Sequence, residues 1–465
     1  IPLCIPNNLF NYIVVNKVNS KSELIINGNI LKALLSLIIP MSIGMFSLLV
    51  INLVDAYYIG KLGVLELSAI SYAFPVLFTL MSFNIGIAIG ISATVSKYIG
   101  QGDLYKAKKT VSNVMVLIFL LMGLLSILSF LLNNYIFSLL GANGETLILI
   151  NEYMSIWYIG SPFFACLVIG NSVLRANGDS IKPSCIIIIT SLTNAVLDPI
   201  FIFGWGPLNA MGIQGAAIAT TISYILGMNI MITIIRNENL LSFPSIKFMK
   251  LLKFSFPVLV IGLPAAFTMM LSPIVLGYIN KIVSSHGSEA VAAFGVGLRI
   301  ESLATVGIIA ISSSLTPFIG QNFGANKHYR INTAINYSVV LSGIWGLIVA
   351  IPLLIFQKQF SNLFSTDILV KGYLIEYIKI ISISYIFWGW SNIASAVFNG
   401  YQKPLTATLI YLSRLFIITI PLVIIGNYFY GLNGIFIGIM ISNILSGILS
   451  ILYVKNSNIL KFYYS

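Results

Sequence analysis

Long apolar stretches dominate this chain, and polar or Gly/Pro interruptions cut them into pieces of about 20 residues or more, the length that crosses a bilayer as a helix. Reading between the interruptions gives twelve runs: 33–59, 65–96, 108–133, 146–171, 182–204, 212–236, 253–281, 289–318, 331–356, 371–397, 405–426 and 431–454. A segment in lipid must satisfy its backbone internally, so apolar runs of this length are read as helices. The second and eighth runs are long and carry polar residues, so they are expected to tilt or to extend past the bilayer.

The runs repeat. Ile99-Gly100-Gln101 returns as Ile319-Gly320-Gln321, Lys182-Pro183 as Lys403-Pro404, and Gly212-Ile213-Gln214-Gly215 as Gly431-Leu432-Asn433-Gly434, each about 220 residues later. Every copy holds the same place in its set of six runs. An even number of spans per set inserts both sets in one orientation, as parallel repeats about an axis along the membrane normal. The expected organisation is a polar lead-in (1–30), a first lobe (31–236), an inter-lobe linker (237–252), a second lobe (253–456) and a tail (457–465). Such two-lobed proteins bind substrate between lobes and rock.

Composition supports the membrane reading: 58% of the 465 residues are hydrophobic and only 8% charged, far below the roughly 25% of soluble domains. The net charge of +12 comes from short basic clusters between runs, as the positive-inside rule expects, so no nucleic-acid partner is inferred. Most Lys and Arg fall on the side that holds both termini, which places the termini in the cytoplasm. Residues 1–15 start without a basic region, so no cleaved signal peptide is expected, and residues 16–30 read as a mobile lead-in. Cys4, Cys166 and Cys185 with His286 and His328 form no metal-ligand spacing. No phosphate-binding loop, nucleophile or soluble nucleotide-binding domain is present, which argues against an enzyme and against ATP-driven transport within this chain.

Ionisable residues within a span are costly unless paired, hydrated or facing a cavity, so they mark function. Asp55 ends the first span in Leu53-Val54-Asp55, and Asp198 lies within the fifth in Asn194-Ala195-Val196-Leu197-Asp198-Pro199. Asn194 shares a helix face with Asp198, and Pro199 frees a carbonyl one turn back. These are hard oxygen donors, suited to a small cation or a proton. The bland alternatives are an interfacial carboxylate at 55 and a packed structural aspartate at 198. Aligning Gly204 with Gly426 sets Ile420 opposite Asp198, so the acid site is expected in the first lobe alone. Arg299 and Glu301 point to different faces and are candidates for a gating or structural role. Glu376 and Lys379 can neutralise each other. Pro40, fifteen residues before Asp55, is either a static kink or a bend that answers protonation.

Together with Gly60-Lys61-Leu62-Gly63, Gly100-Gln101-Gly102, Arg175-Ala176-Asn177-Gly178-Asp179, Leu197-Asp198-Pro199-Ile200-Phe201-Ile202-Phe203-Gly204, Gly215-Ala216-Ala217-Ile218-Ala219-Thr220 and Gly320-Gln321-Asn322-Phe323-Gly324-Ala325, the pattern resembles the multidrug and toxic compound extrusion (MATE) family from about residue 30 to 455. The resemblance implies a V-shaped fold of twelve helices in two six-helix lobes. It implies export of cationic or amphipathic small molecules in exchange for H+ or Na+. It assigns ion coupling to Asp55, Asn194 and Asp198, with Asn171, Thr220 and Tyr153 as polar neighbours and Pro40 as the bending proline. Span seven has no acid, so the chain resembles the branch coupled through the first lobe, the DNA-damage-inducible or archaeal-like one. The expectation is a monomeric antiporter of the plasma (inner) membrane, with no cofactor beyond the coupling ion and no ATPase subunit. A lipid or lipid-linked-saccharide flippase of related architecture is the alternative.

Overall fold

The computed structural model describes residues 21–244 and 247–457, and these are almost entirely helical. Expectations for Cys4, for the first twenty residues and for the tail from 458 lie outside the described residues. Ten helices are long and apolar enough to cross a membrane, or eleven with one bent pair counted as a span, among the described residues. In chain order they are α1 (Ile30–Gly60), α2 (Val64–Gly100), α3 (Leu104–Leu131), α4 (Gly144–Ala176), α5 (Ile181–Phe203), α6 (Gly212–Asn237), α7 (Phe248–Ser284), α8 (Ser288–Ala304 with Val306–Gly324), α9 (His328–Ile355), α10 (Ile368–Gly400) and α11 (Pro404–Asn456).

Local chemistry sets several ends. Asn29 and Asp103 accept from the backbone amides of Lys32 and Lys106, and Asp367 accepts from those of Leu369 and Val370, capping α1, α3 and α10. The two pieces of α8 meet at 47°. The eighth run is bent at Thr305. Trp345 Nε1 takes the Ala304 carbonyl at 2.9 Å, and Thr305 Oγ1 takes that of Glu301 at 2.8 Å. Both compete with the helical ladder there.

The twelve apolar runs of the sequence become eleven because the last two join in α11. Gly431 interrupts it with φ 57°, a left-handed conformation that glycine adopts without strain. The arms on either side run back along each other. Gly426 packs on Gly434, Gly438 on Leu422, and the Thr419 and Ser442 hydroxyls bond at 2.5 Å.

The two halves of the chain meet along α2, α7 and α8. Gly86 lies against Ala266, and Gly90 against Val258 and Gly262, with no room for a Cβ between the helices. Small residues at such contacts let helix backbones approach in a membrane. Further along, Gly100 abuts Gln321, Gly320 abuts Ser96, and Gly324 abuts Lys97. The repeated Ile-Gly-Gln motifs thus cross one another at the seam. Gln321 Nε2 also donates to the Ala176 carbonyl at 2.7 Å. The first turns of α1 (Ala33, Leu34, Leu37, Ile38, Met41) share a core with Ala310, Ile311, Leu315 and Phe318 of α8.

Within the lead-in of residues 16–30 expected to be mobile, the described part is structured. Residues 21–27 are helical and dock across both halves at the seam end. Lys21 pairs with Asp179, Ser22 Oγ donates to Gln321 Oε1 at 3.1 Å, and Arg330 donates to the Ile25 carbonyl at 2.8 Å. Ile25 is buried. An apolar anchor flanked by polar groups was present in the sequence, but its docking surface was not. The expected linker 237–252 also proves partly helical, since α7 begins at Phe248.

Candidate functional site

The polar centre of the first half forms toward the Gly60 end of α1 and the Phe203 end of α5, beside residues of α4 and α6. Asp55 sits one to two turns from the end of α1, and Asp198 is fully buried on α5. Their carboxyls lie within hydrogen-bonding reach of each other. Oδ1 of Asp55 and Oδ2 of Asp198 are both buried with no donor. Asn194 Nδ2 donates to Asp198 Oδ1 at 2.9 Å and to Thr220 Oγ1 at 3.4 Å. The helical spacing of four supplies the first bond and the α5–α6 packing the second. Neither aspartate forms an ion pair with a Lys or Arg among the described residues.

Tyr153 of α4 is buried close enough for both carboxyl charges to act on it. Tyr224 of α6 stands within electrostatic reach of Asp55 and was not anticipated. Its signal was available, since it follows Thr220 by one turn on the same helix. Asn171 is not brought to this centre. Gly160 of α4 packs on Thr221, marking the level of Thr220, and Asn171 lies eleven residues beyond it, roughly 16 Å along a helix. Its buried Oδ1 lacks a donor. Pro40 lies within α1, which is continuous across it.

Two buried carboxyls with no cation beside them are an unstable arrangement in low dielectric. A proton or a small cation between them removes the imbalance, and the neighbouring donors are all oxygen or amide groups.

In the second half, Arg299 is exposed, while Glu301 Oε2 accepts from Tyr377 Oη at 2.7 Å. Glu376 and Lys379 pair at 2.9 Å. A charge that sequence reasoning left unassigned is Arg414 of α11. It lies within electrostatic range of Glu301 and over the rings of Trp388 and Tyr411, 5.6 and 5.9 Å away.

A MatE family model matches residues 40–200 and 264–425. A FAD transporter of Shewanella oneidensis is 34% identical over 418 residues, 90% of this chain and 92% of that protein. The multidrug export protein MepA of Staphylococcus aureus is 27% identical, over 91% of this chain and 93% of that one. The crystal structure of the Vibrio cholerae MATE transporter VcmN in the bent form superposes with a TM-score of 0.87 at 30% identity, covering 96% of this chain and 98% of that one.

Proposed function

The chain belongs to the MatE family of membrane transporters, and from that premise we propose that it is a secondary antiporter exporting small amphipathic molecules, cations among them, in exchange for H+ or Na+. The observation that carries this reading is the pair Asp55–Asp198, buried together with an oxygen of each lacking a donor and no basic residue paired to either.

The cycle follows from electrostatics. On the outer side the pair takes up its ion, supported by Asn194 and Thr220. Neutralisation lifts the cost of closing a dry cavity around charge. The halves then rock about the glycine seam, the ion leaves inside, and substrate loads. Pro40, fifteen residues from Asp55 on α1, lets that helix bend with the protonation state. We read the fold as twelve spans in two parallel six-span lobes, V-shaped, with α11 contributing two. Both termini are cytoplasmic, and the monomer is the working unit in the plasma membrane.

Cargo has a second reading. The relative that is 34% identical over 90% of this chain is a FAD transporter, which favours flavin dinucleotide beside drug-like cations. Proteoliposomes loaded with ethidium or with FAD, under a proton or a sodium gradient imposed separately, test both points. Efflux that follows one gradient names the ion. Efflux indifferent to both gradients removes the antiport reading.

A further inference from the structure

Arg414 is the least explained charge in the molecule. It sits within α11 in a π-helical segment, Ser413–Thr419, where Thr419 Oγ1 donates to the Arg414 carbonyl at 2.8 Å. Such local π turns inside helices concentrate at functional sites because they re-aim a side chain. The Nε–H is buried and has no acceptor. Neither Glu301 nor any other carboxylate among the described residues forms an ion pair with the guanidinium. Glu301 instead accepts from Tyr377. Glu301 is within electrostatic range of this cationic fork but not in contact with it, so the open Nε–H leaves room for the acceptor of a bound ligand.

The rings set what that acceptor belongs to. Trp388 and Tyr411 hold the guanidinium over their faces, and all three residues remain partly exposed. A planar ring placed there can stack on the aromatic side chains while its anionic group meets the fork.

We propose that Arg414, Trp388 and Tyr411 form a second-half subsite for the anionic group of an aromatic substrate, a phosphate or carboxylate carried on a planar ring system. The site is separate from the Asp55–Asp198 centre. It rests on the flavin reading of the cargo and gives that reading a place for the anionic group, and its ligand affinity does not depend on which ion drives transport.

A matched pair of probes isolates the charge: riboflavin and riboflavin 5′-phosphate share a ring system and differ in the phosphate. Both are titrated by flavin fluorescence quenching into the full chain in nanodiscs, with no ion gradient. The phosphate binds at least tenfold more tightly to the unaltered protein. Arg414→Gln removes that preference, and Arg414→Lys, which keeps the charge without the planar fork, restores part of it. Trp388→Leu weakens both flavins while the phosphate preference survives. Equal binding of the two flavins by the unaltered protein overturns the proposal. So does a full phosphate preference in Arg414→Gln with an unchanged melting temperature, or unaltered binding of both flavins in Trp388→Leu. Asp198→Asn keeps the preference, which separates failure of this subsite from failure of the antiport reading.

Discussion

In the first half, α1 and α5 bring two carboxyls together beside residues of α4 and α6; in the second, α10 and the first arm of α11 set aromatic faces around a guanidinium. The charges of the two centres are opposite. Asp198 has an amide beside it and no cation. Arg414 has aromatic faces beside it and no paired anion. At the level of Asp198 the second half offers Ile420 and the Thr419–Ser442 hydroxyl pair. Helix packing and interior polarity can thus vary separately, because packing depends on glycines and apolar surface and the charge does not. On the readings proposed above, the first half takes up a small cation and the second holds an organic anion.

The largest expected effect lies in the first half. Asp198→Asn reduces gradient-driven efflux to background with normal membrane expression, while Glu301→Gln lowers it by a few-fold at most. If Glu301→Gln also abolishes coupling in a proteoliposome efflux assay, the assignment of coupling to the first half alone breaks. Asn194→Leu comes next. It removes a hydrogen bond to a charged group, about 1.5–3 kcal/mol, and shifts the ion concentration for half-maximal efflux roughly 10–100-fold. A proton-driven carrier then releases its ion more reluctantly. A sodium-driven one, losing an amide oxygen, binds sodium more weakly, so the sign names the ion.

Gly86→Val tests the seam rather than either centre. The new side chain meets the Ala266 backbone, and overpacking of this kind costs about 1–3 kcal/mol, read as a lower melting temperature in detergent. An unchanged melting temperature would mean that the halves separate there without cost. Lys21→Ala gives the smallest effect. The lysine is 40% exposed and the buried Asp179 keeps Lys182 and the Ile181 and Lys182 amides as partners, so the loss is about 0.2–1 kcal/mol, as for exposed pairs. The loss loosens the lead-in helix, seen as faster amide exchange over residues 21–27.

Much of the first-half centre was legible in the sequence. An aspartate inside an apolar run is conspicuous, and Asn194 lies one helical turn from it, so that bond follows from helix geometry. Tyr224 was overlooked although it follows Thr220 at the same spacing. Asn171 was grouped with the acids through a family resemblance, yet position along α4 sets it a dozen ångströms or more away. Arg414 is a charge within an apolar run, and Tyr411 is three residues from it, but Trp388 and Glu301 come to it from α10 and α8.

The sequence by itself determined the membrane class, the helical content, the repeated motifs and the placement of acids in the first half. These follow from local composition and period, because a bilayer forces each apolar run to satisfy its own backbone. Tertiary structure alone decided where the halves touch, that the Ile-Gly-Gln motifs cross at the seam, that residues 21–27 dock across it, and that Arg414 is left without a paired anion. Those are relations between residues hundreds of positions apart, and only packing brings their backbones close enough for the absence of a Cβ, or of a counter-charge, to matter.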